Sequence, residues 1–118
     1  MRVLLVDDNP MNLELFVDTL TGDGHDVAVE REGRSARDRA LREAFDVVIL
    51  DIQLPGMDGY AICRELRAAG VRSPILALSS AAMADQVERG MAAGFDRYLT
   101  KPISPAALRS AVRETGPT

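Results

Sequence analysis

Six polar residues stand where hydrophobic runs of this chain stop, and their types admit a narrow range of chemistry. Asp7 and Asp8 follow Val3–Val6, Asp51 follows Val47–Leu50, Ser79 and Ser80 follow Ile75–Leu78, and Lys101 comes just after Tyr98–Leu99. Three carboxylates drawn together cannot all stay ionised without a compensating cation. An oxygen-only set with few ligands suits Mg²⁺, which keeps several waters and binds one or two carboxylates plus a phosphate. Lys101 is the only lysine in the chain, every other basic side chain apart from His25 being arginine. Its ammonium is a compact point charge, able to pair with Asp51 at rest and with a phosphoryl group later. A bias toward arginine does not explain why the exception falls beside the carboxylates. Taken singly, acids after strands are turn formers or caps, and Ser80 reads either as a helix cap or as a member of the cluster. Taken together, they point to a site.

The elements that would bring these residues together can be read from the apolar pattern. The runs Val3–Val6, Val27–Val29, Val47–Leu50, Ile75–Leu78 and Tyr98–Leu99 alternate with stretches of helical spacing, the signature of a parallel sheet covered on both faces. Continuous β-branched runs such as Val47-Val48-Ile49-Leu50 suit strands buried on both sides. The short fifth run carries Arg97 and is placed at a sheet edge. Asn9 caps a first helix with Pro10 at its first position and Leu13, Phe16, Val17 and Leu20 on its apolar stripe. Gly33–Phe45 reads as a second helix packing through Ala36, Ala40, Leu41 and Ala44. Its charges of both signs read as a solvated face. Asp58-Gly59 opens a third helix with Ile62 and Leu66. Met83, Val87 and Met91 recur four apart in a fourth that Gly94 ends. Ser104 and Pro105 start a fifth with Leu108 and Val112 inward, and Gly116-Pro117-Thr118 is expected to fray. Right-handed crossovers then predict an α/β doubly wound sheet of five parallel strands and five helices, in the order 2-1-3-4-5. Ligands bind such sheets at the carboxyl ends of the strands, beside the switch point between the first and third. All six polar residues fall at those ends.

Composition sets outer limits. The 118 residues suit one domain, and 47% hydrophobic residues suffice for an ordinary core. A formal charge of −4 argues against unaided binding to nucleic acid or an acidic membrane. No apolar run reaches the roughly 20 residues that span a bilayer, and the N-terminus lacks a signal-peptide pattern. The cytoplasm is the expected compartment. Cys63 has no partner for an internal disulfide and reads as a packed thiol. His25 reads as a surface residue in the turn before the second strand. Met11 and Leu15 sit one turn apart, partly off the core stripe, and either extend the core or dock another protein.

The segments Val6-Asp7-Asp8-Asn9-Pro10, Leu50-Asp51-Ile52-Gln53-Leu54-Pro55-Gly56-Met57-Asp58-Gly59, Leu78-Ser79-Ser80-Ala81 and Tyr98-Leu99-Thr100-Lys101-Pro102 resemble those of response-regulator receiver domains, the flavodoxin-like, chemotaxis-regulator-like modules of two-component phosphorelays. The resemblance runs over essentially the whole chain, so residues 1–118 are expected to form one receiver domain. It implies that Asp51 is the phospho-acceptor. It implies that Asp8 and Asp51 hold Mg²⁺ with the backbone carbonyl of Gln53, and that Asp7 acts through metal-bound water. Lys101 would contact the phosphoryl oxygens, and a cis peptide would precede Pro102. Ser79 matches the switch hydroxyl and Tyr98 the mobile aromatic, expected to turn inward from an exposed rotamer. In this family the positions of Gln53 and Ala81 tune hydrolysis of the acyl phosphate, and Ala81 has no polar group to guide water.

The implied function is that of a phospho-accepting switch rather than an enzyme. It would take a phosphoryl group from a histidine kinase or a histidine phosphotransfer protein and bind a downstream protein, with no direct contact to nucleic acid or membrane. The Asn-Pro-Met-Asn start of the first helix resembles both single-domain regulators and receivers of hybrid histidine kinases. Met1 close to the first strand favours a stand-alone regulator. A module from a hybrid kinase or a larger regulator is the alternative. Three other classes fit less well. A flavin carrier of this architecture needs a Ser/Thr/Gly-rich phosphate loop where Asp7-Asp8 would repel phosphate. An aspartyl phosphatase resembles Asp-x-Asp, whereas Asp51-Ile52-Gln53 has no second acid. A degenerate scaffold would not keep the whole constellation.

Overall fold

Strands and helices alternate along the chain: β1 (Arg2–Val6), α1 (Pro10–Gly22), β2 (Asp26–Glu30), α2 (Gly33–Arg42), β3 (Val47–Asp51), α3 (Gly59–Ala68), β4 (Ile75–Ser79), α4 (Ala84–Ala93), β5 (Arg97–Thr100) and α5 (Pro105–Thr115). The computed structural model describes residues 1–54, 56–80 and 83–115. Pro55, Ala81 and the Gly116-Pro117-Thr118 end expected to fray lie outside the described residues. All strand pairs are parallel, in the order β2-β1-β3-β4-β5, so the doubly wound sheet is as expected. Among the described residues no helix is long and apolar enough to cross a membrane.

Period-two alternation divides the core between the two faces of the sheet. Leu4, Val6, Val48, Leu50, Ile75 and Ala77 pack with Ala36, Ala40, Ile62, Cys63, Leu66 and Ala93 beneath α2, α3 and α4. Val3, Leu5, Val47, Ile49, Leu76 and Leu78 pack with Leu13, Phe16, Leu20, Leu108 and Val112 beneath α1 and α5. Because β1, β3 and β4 are covered on both faces, their runs are apolar throughout. The Asn9 side chain caps α1 by accepting from the N–H groups of Met11 and Asn12, and Asp58 caps α3 by accepting from Ala61. Ser104 accepts from the Ala107 N–H at the start of α5.

Two helix faces differ from expectation. α2 stops at Arg42, and Leu41 and Ala44 are exposed. Its inward face is the narrower set Gly33, Ala36 and Ala40. Met83 and Met91 also face outward, and α4 meets the protein through Gly90 and Ala93. In both helices small residues seat against the protein, and the larger apolar side chains at helical spacing lie to the side.

A single arginine braces the amino ends of the strands. Arg67, on α3, donates to the carbonyls of Gly94 (3.0 Å), Val71 (2.9 Å) and Ser73 (2.9 Å) and to the Asp96 carboxylate (2.7 Å). Asp96 in turn accepts from the Ile75 N–H at 2.8 Å. The far end of α4 is thereby tied through Arg67 to the turn between α3 and β4.

Candidate functional site

At the carboxyl ends of the strands, Asp7, Asp8 and Asp51 place carboxylate oxygens within 4.8 Å of one another. Asp7 and Asp51 are buried and Asp8 is exposed. The Lys101 ammonium lies 2.7 Å from Asp51 Oδ2 and 3.2 Å from Asp7 Oδ2. The first contact is a hydrogen bond, whereas Asp7 Oδ2 accepts none among the described residues. Asp51 Oδ1 accepts from the Gln53 N–H and Asp7 Oδ1 from the Asn9 N–H, each at 2.9 Å. Burial pushes the Asp51 carboxyl above its ordinary value, and the neighbouring Asp7 charge adds to the rise. Lys101 and the Gln53 N–H pull against it. Burial alone would lower the Lys101 pKa, but the two carboxylates outweigh it and hold the ammonium above its ordinary range. The cluster thus sets three carboxylates against one lysine ammonium. Local folding fixes this geometry. The Ile52 N–H donates to Leu78 and the Lys101 N–H to Ser79, extending the ladders past the strands, and the Lys101–Pro102 peptide is cis. Gly59 lets α3 start against β3, since a Cβ there would meet the Ile52 Cα at 2.8 Å and the Asp51 carbonyl at 2.9 Å.

Ser79 and Tyr98 share the α4 side of the sheet. Ser79 lies two residues past Ala77, which pairs with Tyr98, and Ser79 itself pairs with Thr100. Ser79 is buried, and the half-buried Tyr98 packs against the core beneath α4. The Tyr98 ring is turned inward here rather than held in the exposed rotamer expected. Its hydroxyl lies 3.3 Å from that of Tyr60, which reaches the Gln86 carbonyl at 3.2 Å. Burial, then the Tyr98 hydroxyl, push the Tyr60 pKa up to about 12. Gly90 makes room for the ring: a Cβ there would sit 2.9 Å from Tyr98 Cδ2. Tyr60 and Gly90 were not singled out from the sequence. The available signal is that Tyr60 lies on the same stripe as Cys63 and Leu66, where a buried phenol must find a partner. Arg31 also reaches the site, its guanidinium 3.4 Å from the Asp8 carbonyl, and no motif in the sequence marks it.

The family model for the response regulator receiver domain matches residues 3–113. The chain belongs to that family. The receiver is 44% identical over 117 residues to the sensor protein GacS of Pseudomonas syringae pv. syringae, a match that covers 94% of this chain and 13% of GacS. It is 40% identical over 113 residues to the DNA-binding response regulator MtrA of Mycolicibacterium smegmatis, covering 95% of this chain and 49% of MtrA. The receiver thus spans less than half the length of either relative. Two solved structures are close in shape. One is the receiver domain of the sensor histidine kinase PA1611 from Pseudomonas aeruginosa PAO1, with a TM-score of 0.88 and 35% identity, covering 97% of this chain and 95% of that one. That structure has a magnesium ion coordinated in its active-site cleft. The other is the chemotaxis response regulator CheY4 of Vibrio cholerae, with a TM-score of 0.90, 29% identity and 97% of both chains covered. The receiver is accordingly a signalling module of two-component systems.

The remaining residues divide between the core and the surface of the receiver. Met11 and Leu15 are exposed, so they do not extend the core. Cys63 is fully buried, and burial pushes its thiol up to about 11. His25 is not the surface residue expected: its side chain is 9% exposed, and Nε2 lies 3.6 Å from Asp23.

Proposed function

We propose that Asp51 accepts a phosphoryl group from the phosphohistidine of a histidine kinase or histidine phosphotransfer protein, and that the receiver signals by binding a downstream protein. The carrying observation is the Asp51–Lys101 contact of 2.7 Å in an acidic cluster of which Asp7 and Asp51 are buried. A carboxylate oxygen of Asp51 bonds to phosphorus as the donor's P–N bond breaks, and the Lys101 ammonium neutralises charge on the transferring oxygens. The residues fit Mg²⁺, because three carboxylates face one ammonium and the buried Asp7 Oδ2 accepts no hydrogen bond among the described residues. Asp8, Asp51 and the Gln53 carbonyl would hold the ion, with Asp7 reaching it through water. Bound there, it supplies further charge neutralisation at the phosphoryl oxygens. Ser79 and Tyr98 carry the phosphorylated state to the α4 side. The receiver turns over no phosphomonoester and catalyses only its own phosphotransfer and slow dephosphorylation. It acts in the cytoplasm, without direct contact to nucleic acid or membrane.

Met11 and Leu15 give this reading a docking face for the donor. Leu15 lines a cleft of about 340 Å³ together with Phe16, Ser80, Lys101, Pro102 and Ile103, so an apolar side chain seated there lies next to the reacting groups. The test of the site is labelling with acetyl phosphate and Mg²⁺. Wild type should be labelled, Asp51→Asn should not, and EDTA should abolish the signal. Equal labelling of the mutant would overturn the assignment.

A further inference from the structure

At the amino ends of β3 and β4, the pole opposite Asp51, a cleft of about 300 Å³ opens between the end of α2 and the turn before β4. Ala40, Phe45 and Val48 line it and are buried. Leu41 stands at its side, 47% exposed, although helical spacing assigns that residue to the packing side of α2. The walls are fixed before any ligand arrives. The Ser73 hydroxyl donates to the Phe45 carbonyl at 2.6 Å, and Arg67 holds the Val71 and Ser73 carbonyls at 2.9 Å each. The Arg2 guanidinium sits 4.7 Å from the centre of the Phe45 ring. A site held in this way loses little freedom on binding.

Charge decides what the cleft accepts. Arg42 and Arg72 line it and are exposed, and among the described residues Glu43 is the one acid in its lining. Glu43 is already taken: Arg2 hydrogen-bonds one carboxylate oxygen, and Arg39 the other at 2.8 Å. Arg42 lies 4.0 Å from it, and Arg72 has no carboxylate partner among the described residues. An apolar hollow beside two guanidiniums with free donors fits a bulky apolar group flanked by carboxylates, which a guanidinium binds through paired N–H donors. The formal charge of −4 on the whole chain does not favour acidic ligands in general, so their binding here rests on this local pair of cations.

We propose that this cleft docks an acidic peptide segment of a partner protein, seating one large apolar side chain on Phe45 and Val71 with its flanking carboxylates on Arg42 and Arg72. A partner held at this pole leaves the Asp51 cluster uncovered.

The test titrates isotope-labelled protein with a blocked tripeptide that holds phenylalanine between two aspartates and follows the amide signals in NMR spectra. Signals of Leu41, Phe45, Val71 and Ser73 should move, while those of Asp7 and Asp51 stay in place. A peptide with asparagine for both aspartates should bind about fivefold more weakly, the worth of two exposed ion pairs. Raised salt should remove that difference. Alanine in place of phenylalanine should abolish the shifts. Arg72→Ala should weaken binding of the acidic peptide roughly twofold and leave the neutral one unchanged. Leu41→Asp should bind neither. Both side chains are exposed, so the variants should fold, and matching circular dichroism spectra check this. Equal binding of the acidic and neutral peptides overturns the proposal, as do shifts confined to other faces or no shifts at all. Tighter binding of free hydrocinnamate than of the peptide overturns it too, since the cleft would then serve a small carboxylate. A dimer in sedimentation that Leu41→Asp dissolves also overturns it, because a second copy of the chain would then fill the cleft.

Discussion

Lys101 serves two buried carboxylates with one ammonium, 2.7 Å from Asp51 and 3.2 Å from Asp7. Arginine keeps the charge but spreads it over a planar fork, which does not fit between two acids that close. Lys101→Arg should therefore still be labelled by acetyl phosphate, while the phosphorylated variant fails to bind its partner. Wild-type partner affinity in this variant would show that charge alone suffices. The acidic site was legible in the sequence because each of its residues falls within two positions of the end of an apolar run. A parallel sheet sends all such positions to one edge. The seat of Tyr98 was not legible, because Tyr60, Gly90 and Tyr98 meet only through tertiary packing and their types carry no shared motif. Ser80 is an intermediate case: its position was plain, but its partner Gln53 lies 27 residues away.

At the scale of elements, the strands were easier to read than the helix faces. A strand covered on both sides is apolar throughout, and β1, β3 and β4 show this. A helix can carry two apolar stripes, and spacing does not say which is buried. At α4 the larger apolar residues, Met83 at its cap and Met91 within it, are exposed, while Gly90 and Ala93 pack. The glycine matters because the Tyr98 ring occupies the space of a side chain. Gly90→Ala should gain helix propensity of about 1 kcal/mol, offset by the close contact with the ring, which is free to swing outward. The expected result is a small stability change together with large shifts of the Tyr98 ring signals in NMR spectra. Tyr98 signals that stay in place would mean that the ring does not rely on this notch.

Across the whole molecule, α1 and α5 are joined at a distance by Asp23 and Arg113, 90 residues apart. The Arg113 guanidinium hydrogen-bonds the Asp23 carboxylate and holds its pKa below the ordinary 3.8. A carboxyl lowered in the folded state contributes stability above its unfolded pKa and loses it as pH falls through the folded value. Wild type should therefore be more stable than Asp23→Asn near neutrality, and the gap in Tm should narrow as pH is taken below about 4. A gap that does not change with pH would show that the pair contributes packing rather than charge. At the opposite pole from the acidic site, the Arg67 clamp on Gly94 and Asp96 has its own consequence for motion. It fixes α4 at the carboxyl end, whereas near its amino end the tie among the described residues is the neutral hydrogen bond of the Tyr60 hydroxyl to Gln86. A rod held at one end pivots. With the fulcrum at Gly94, a small tilt grows along the roughly 15 Å of the helix and is largest at its amino end, the end that follows β4.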